Sequence, residues 1–367
     1  MKLVITIFFI ITGLLTSCYK IYDPKIDTDK KVLAVNGMIT NKAVTYHILL
    51  TYAKSFNSGG TGLPVSDANV FVTDDPGNSY IFHEKGIGNY LSDSLQFTGT
   101  PGRIYQLHII TPEGEEYKSD PQRLFPEVSP DSVYAEFDNK EILERTTGLK
   151  VKTHGANMFT DIRNKADTLP RFRFTSNLVT QYFYAICSVG GACTFYYCWK
   201  TDNANPIINL TGGEYSQGSA SIKKHAVCFL DDNLYSYAVV YRPGGWGIAR
   251  TDYQSFMIHH RILYLKQYTL NNEAYLYYKS LDEQVQSEGK LFDPIATQLN
   301  ENIKCITDPE KKAIGFFEAS PVSYSAYIVD FRNLKNSQPS IIKTPYTLPP
   351  ESIGNRIDNA PSFWIFK

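Results

Sequence analysis

Six cysteines and seven histidines are the side chains of this 367-residue chain whose spacing is most able to specify chemistry. Cys187, Cys193 and Cys198 are separated by five and four residues, which is not the C-x-x-C spacing of a zinc knuckle, and no histidine lies among them. Gly190-Gly191 between the first two marks a hairpin tip that a Cys187–Cys193 disulfide would close; buried free thiols are the other reading. With Cys18 set apart, Cys187, Cys193, Cys198, Cys228 and Cys305 form an odd set, so at least one thiol is left over and the pairing is open. His259-His260 is the sole histidine pair, and neighbours on a strand face opposite ways, so the two rings cannot share one metal. His83-Glu84 runs on into Lys85-Gly86-Ile87, not into the second histidine of a metalloprotease helix. Glu214-Tyr215-Ser216-Gln217-Gly218 lacks the first glycine of a nucleophile elbow. Gly86-Ile87-Gly88 is an isolated pair of glycines with no following helix to cradle phosphate. Asp74, Asp75 and Asn78 carry oxygens that suit calcium, but Pro76-Gly77 between them reads as a plain hairpin turn. No catalytic residues, cofactor or metal are therefore expected, and the chain does not read as an enzyme.

The amino terminus carries a different kind of chemistry. Met1-Lys2 is followed by an apolar run from Leu3 to Leu15, then by Thr16-Ser17-Cys18. A positive start, a short apolar stretch and small residues before a cut site are the parts of a secretory signal. The run is shorter than the roughly 20 residues of a permanent membrane helix. The Leu-Thr-Ser-Cys junction resembles the bacterial lipobox, in which the thiol is acylated and the signal cut just before it. Residues 1–17 then read as a lipoprotein signal peptide, Cys18 as the lipidated first residue and 18–30 as a polar tether. An ordinary signal peptide with a chance cysteine is the alternative. Tyr19-Lys20 is not an acidic export cluster, so the membrane face reached by the protein stays open.

These features need a scaffold, and composition indicates its kind. Lys+Arg 36 against Asp+Glu 37 is near neutral, which excludes an electrostatic nucleic-acid binder. Hydrophobic content of 43% excludes disorder, and an aromatic share of 14%, mostly Tyr and Phe, favours strands. Short alternating runs separated by turns fill residues 31–120, including Leu33-Val35, Ile48-Leu50, Val70-Val72 and Ile104-Ile110. They predict a small β-sandwich. Pro121, Pro126 and Pro130 mark 121–130 as a linker. Residues 131–367 read as a larger β-rich domain. Its one helix spans about 272–288, with Ala274, Tyr278, Leu281 and Val285 on one face and Asn271 or Asn272 as cap.

Tyr196, Tyr197, Trp199, Tyr215, Tyr235, Tyr237, Tyr241 and Trp246 crowd one stretch, interleaved with glycine turns. Rings with polar edges suit a ligand or partner surface, with Trp199, Tyr215 and Trp246 its candidates. Filling of a strand core is the competing reading.

The lipobox, VLAVNGMIT, VSDANVFVTDDPGNSY, GRIYQLHIITPEGEEYKSD, the Cys198-Trp199 pair, LNNEAYLYYKSLDEQVQSEGKLFDP and DPEKKAIGFFEAS together resemble one family. It is the set of Bacteroidetes outer-membrane lipoproteins collected as domain of unknown function 4249. The resemblance covers nearly the whole mature chain. It implies a lipid anchor in the outer membrane, an immunoglobulin-like front half and a role beside a TonB-dependent transporter as a ligand-handling or scaffolding subunit. It supplies no catalytic residues. A free-standing module that binds glycan, peptide or protein is the alternative.

Overall fold

Alternating apolar and polar residues form strands with one buried face, and the chain is mainly β, with one helix among the described residues. The computed structural model describes residues 31–53, 62–93, 97–143, 149–163, 171–187, 193–204, 208–212, 221–231, 239–241, 249–250, 261–287 and 299–329; within 180–200, 239–250 and a few further strand positions it describes backbone alone. The signal, Cys18 and the tether lie outside the described residues.

The first sheet has eleven strands. Nine come from the front of the chain: β1 (Leu33–Ile39), β2 (His47–Tyr52), β3 (Leu63–Pro64), β4 (Asn69–Asp74), β5 (Ser79–Glu84), β6 (Asn89–Ser92), β7 (Ile104–Ile110), β8 (Glu116–Ser119) and β9 (Gln122–Arg123). The other two, β19 (Ile303–Cys305) and β20 (Ala313–Ala319), come from far downstream. The order is β19-β8-β7-β4-β5-β6-β2-β1-β20, with β3 on β2 and β9 on β7. Leu33, Val35, Ile48, Leu50, Val70, Val72, Leu107 and Ile109 point into one core with Tyr90, Phe97, Tyr105, Tyr117 and Phe317.

The sheet curls until its end strands meet, so it is nearly barrel-like. Asn302, buried just before β19, makes the join. Its side-chain nitrogen donates to the Phe317 carbonyl and its oxygen accepts from the Phe317 N–H, both at 2.9 Å. At the other seam β20 runs parallel to β1, from Leu33 opposite Ala313 to Ile39 opposite Ala319. Gly315 sits there with φ +102°, where a Cβ would lie 1.9 Å from the Val35 carbonyl oxygen, so only glycine fits. The 31–120 segment expected as a sandwich therefore lacks two of the strands that complete it.

The 121–130 segment is strapped down along its length. β9 pairs with β7, Glu127 bonds Lys42, and the Val128 carbonyl accepts from Gln267 and Ser323.

Beyond it, β10 (Ser132–Leu143), β11 (Lys150–Arg163) and β15 (Ser221–Asp231) form a three-stranded sheet. A seven-stranded sheet is built on the long β12 (Arg171–Cys187), flanked by β13 (Cys193–Asn203), β14 (Asn209–Thr211), β16 (Val239–Tyr241) with β17 (Ala249–Arg250), and β18 (Arg261–Leu270) with β21 (Val322–Val329). The two sheets share a core that includes Met158, Ile162, Phe172, Phe174, Ile222, Leu263 and Leu265.

Helix α1 (Asn272–Ser287) follows β18 directly. Asn271 caps it, its side-chain oxygen accepting from the Ala274 N–H at 2.7 Å. The expected face holds at Ala274, which is buried, and at Tyr278 and Leu281, which are half-buried, but Val285 is exposed, and Tyr275 and Ser280 are buried beside that face. Aromatic packing against Phe316 and Tyr268 rotates the contact face toward Tyr275.

Candidate partner-binding site

The rigid base of the candidate site is a junction where both sheet systems and α1 meet. Arg173 on β12 lies between the rings of Tyr268 and Tyr278, 4.2 and 4.3 Å from their centroids. Its guanidinium reaches the buried Glu318 carboxylate of β20 at 3.2 Å, and Tyr278 donates to the same carboxylate at 2.6 Å. Burial alone would lower the Arg173 pKa, but the Glu318 charge, the Tyr278 and Tyr268 phenols and the hydrogen bond to Glu318 together outweigh it and raise it. Burial, followed by the Glu318 charge, pushes the Tyr278 phenol well above its ordinary value. The guanidinium is thus held charged between two rings and against a carboxylate. Nothing in local sequence periodicity marks these residues, since the pair spans strands of different sheets. Arg173 and Glu318 were missed for that reason.

Among the described residues β18 pairs with β12 from Leu270 opposite Arg171 to Arg261 opposite Thr180. From Asn177 to Cys187, β12 pairs antiparallel with β13, and β16 joins at Ala185 and Ile186. The register sets Phe183 opposite Tyr197, Tyr184 opposite Tyr196, and Trp199 opposite Gln181. Residues 174–199 contain no Asp, Glu, Lys, Arg or His, in a chain that is 20% charged. Aromatic residues at consecutive positions 182–184 and 195–197 put aromatic positions on both faces of the ribbon. Such a ribbon is suited to contact with an apolar partner surface, not to a solvated face.

Of the residues singled out for this surface, Trp199 has its backbone placed on β13, while Tyr215 and Trp246 lie outside the described residues. Cys187 and Cys193 are direct cross-strand partners.

A second concavity, of about 520 Å³, opens on the first sheet and is lined by Asn78, Ser79, Tyr80, Ile81, His83, Asp93 and Phe97. Tyr80 stacks on Phe97 with centroids 4.1 Å apart. Behind Tyr80, Asp74 is occupied by donors: the Asn78 N–H at 2.8 Å, the Tyr80 hydroxyl at 3.0 Å and Arg103 at 2.7 Å. Gly77 adopts φ +93°, so the Asp74–Asn78 segment is a hairpin turn whose carboxylate is spent on the turn itself. Gly86-Ile87-Gly88 is likewise a tight turn, with the Glu84 carboxylate accepting from the Gly88 N–H at 3.0 Å.

Among the described residues no three His, Cys, Asp or Glu side chains gather as a metal site. Cys228 and Cys305 are free thiols, and burial pushes the Cys228 thiol up to about 11. The segment Glu214–Gly218 and the pair His259-His260 lie outside the described residues. No helix of the described residues is long and apolar enough to cross a membrane.

A family model described as a domain of unknown function, DUF4249, matches residues 19–325. No curated protein and no solved structure matches the chain.

Proposed function

The chain belongs to the DUF4249 family, and from that premise we propose that it is a lipid-anchored outer-membrane subunit. In this reading it acts beside a TonB-dependent transporter in ligand handling or scaffolding, and it docks through the β12–β13 ribbon. The observation that carries the reading is the uncharged aromatic ribbon on a rigid base: residues 174–199 without one Asp, Glu, Lys, Arg or His, rooted at the Arg173–Glu318 junction. The Leu3–Cys18 signal and lipobox supply the anchor. Acyl chains on Cys18 would hold the body at a membrane, where an integral partner is reached by diffusion in two dimensions.

Affinity purification of the full chain from detergent-solubilised outer membranes tests it. A β-barrel transporter should co-purify, and Tyr197→Lys should release it while thermal unfolding of the purified protein stays unchanged. Recovery of the protein alone at every salt concentration would overturn the reading.

The concavity at Asn78–Phe97 favours a second reading, a free-standing module for a glycan or peptide, with a stacked aromatic floor beside polar Asn78, Ser79 and His83. Binding of a glycan or peptide by purified mature protein, abolished by Ile81→Asp and indifferent to Tyr197→Lys, would establish that reading in place of the first.

A further inference from the structure

Counting cysteines leaves their pairing open, and the backbone register narrows it to one pair. Cys187 ends β12, Cys193 begins β13, and the two are direct antiparallel partners. Directly opposed residues in such a pair have Cα atoms about 4.5–5.5 Å apart, within the roughly 4.4–6.8 Å that a disulfide spans. Cys198 stands opposite Tyr182, an odd number of positions from Cys193 on a strand without a register shift, which places it on the other face of the ribbon. The remaining two belong to other sheets. Cys228 on β15 is opposite Met158, Cys305 on β19 is opposite Tyr117, and both are free.

We propose that Cys187 and Cys193 form a cross-strand disulfide that clasps the far end of the β12–β13 ribbon and leaves Cys198 a thiol. The clasp lies at the far end of the β12–β13 pairing, which begins at Asn177 opposite Asn203. A one-residue slip of an antiparallel pair turns every side chain to the other face, so a covalent link at this end holds the aromatic positions in register. The inference stands apart from the identity of any partner.

The oxidant is an exchangeable disulfide, protein-borne or glutathione. One ribbon thiolate attacks it, forming a mixed disulfide and expelling one thiolate of the oxidant. The second ribbon thiolate then attacks the mixed disulfide, forming the Cys187–Cys193 bond and expelling the other thiolate. The two cysteines lose two protons and two electrons, and the oxidant gains the electrons as a dithiol or two thiols.

The test takes the folded, fully reduced chain, equilibrates it with oxidised glutathione, blocks free thiols with iodoacetamide in denaturant and digests with chymotrypsin. Cleavage after Tyr184 and Phe195 isolates Ala185–Phe195, which holds Cys187 and Cys193 without Cys198. That fragment should be unalkylated and two hydrogens lighter than its dithiol form, while Cys198 is alkylated. In Cys193→Ser, Cys187 should become alkylated or glutathionylated. Two alkyl groups or glutathione adducts on the native fragment, or a disulfide linking it to Cys198, would overturn the proposal.

Discussion

Asp74 accepts hydrogen bonds from the Asn78 backbone and side chain, from Tyr80 and from Arg103, with none of its own side chain exposed. Burial works to raise its pKa, but those donors and the Arg103 charge outweigh burial and hold the carboxyl below its ordinary value. A depressed folded-state pKa means the stabilisation is complete above the unfolded value of about 4. It is lost as pH falls through the lower folded value. Acid titration of unfolding should therefore show a stability loss below about pH 4 that Asp74→Asn removes. At neutral pH, Asp74→Ala should cost about 2 kcal/mol in urea unfolding, because it strands the Asn78 and Tyr80 donors. The turn was legible in Asp74-Asp75-Pro76-Gly77-Asn78 as a string of turn formers. The role of Arg103 was not, because it comes from just before β7, which pairs beside Asp74 from 29 residues on.

Asn302 shows what an element-scale device looks like when its signal is a single residue. Its amide imitates one residue of a strand and ties the two ends of the eleven-stranded sheet. Asn302→Leu should leave the Phe317 N–H and carbonyl unpaired in a dry interior, costing roughly 2–3 kcal/mol in denaturant unfolding. Asn302→Asp can still accept from the N–H but sets its second oxygen against the carbonyl, so it should not rescue the loss. At α1, Asn271→Ala should cost about 1 kcal/mol, the worth of a lost cap. The helix was readable from its cap and its length, since both are local. Its buried face was misread at Val285 because aromatic packing from β18 and β20, not helical periodicity, chose the contact side. β19, three residues long, and β20, interrupted by Gly315, carry too little alternation to be recognised alone.

For the whole molecule, the Arg173–Glu318 pair and the two returning strands make the front and rear of the chain interdependent. Arg173→Met alone should destabilise by about 3–5 kcal/mol, because Glu318 is left buried and uncompensated. The double variant Arg173→Met/Glu318→Gln should recover most of that loss, and a double-mutant cycle by urea unfolding measures it. Residues 31–130 expressed alone should fail to give a cooperative unfolding transition, since β1 and β8 then lose their β20 and β19 partners and present bare edges. Supplying residues 299–322 on the same chain through a linker should restore the transition.

The strand-rich class, the Pro-Gly turns and the capped helix were all determined by the sequence alone, because each rests on neighbours within a few residues. The closure of the first sheet and the Arg173–Glu318 junction were decided only by the tertiary structure. Each depends on which strand lies beside which, and hydrogen-bonded ladders between distant segments leave no period in the sequence that forms them.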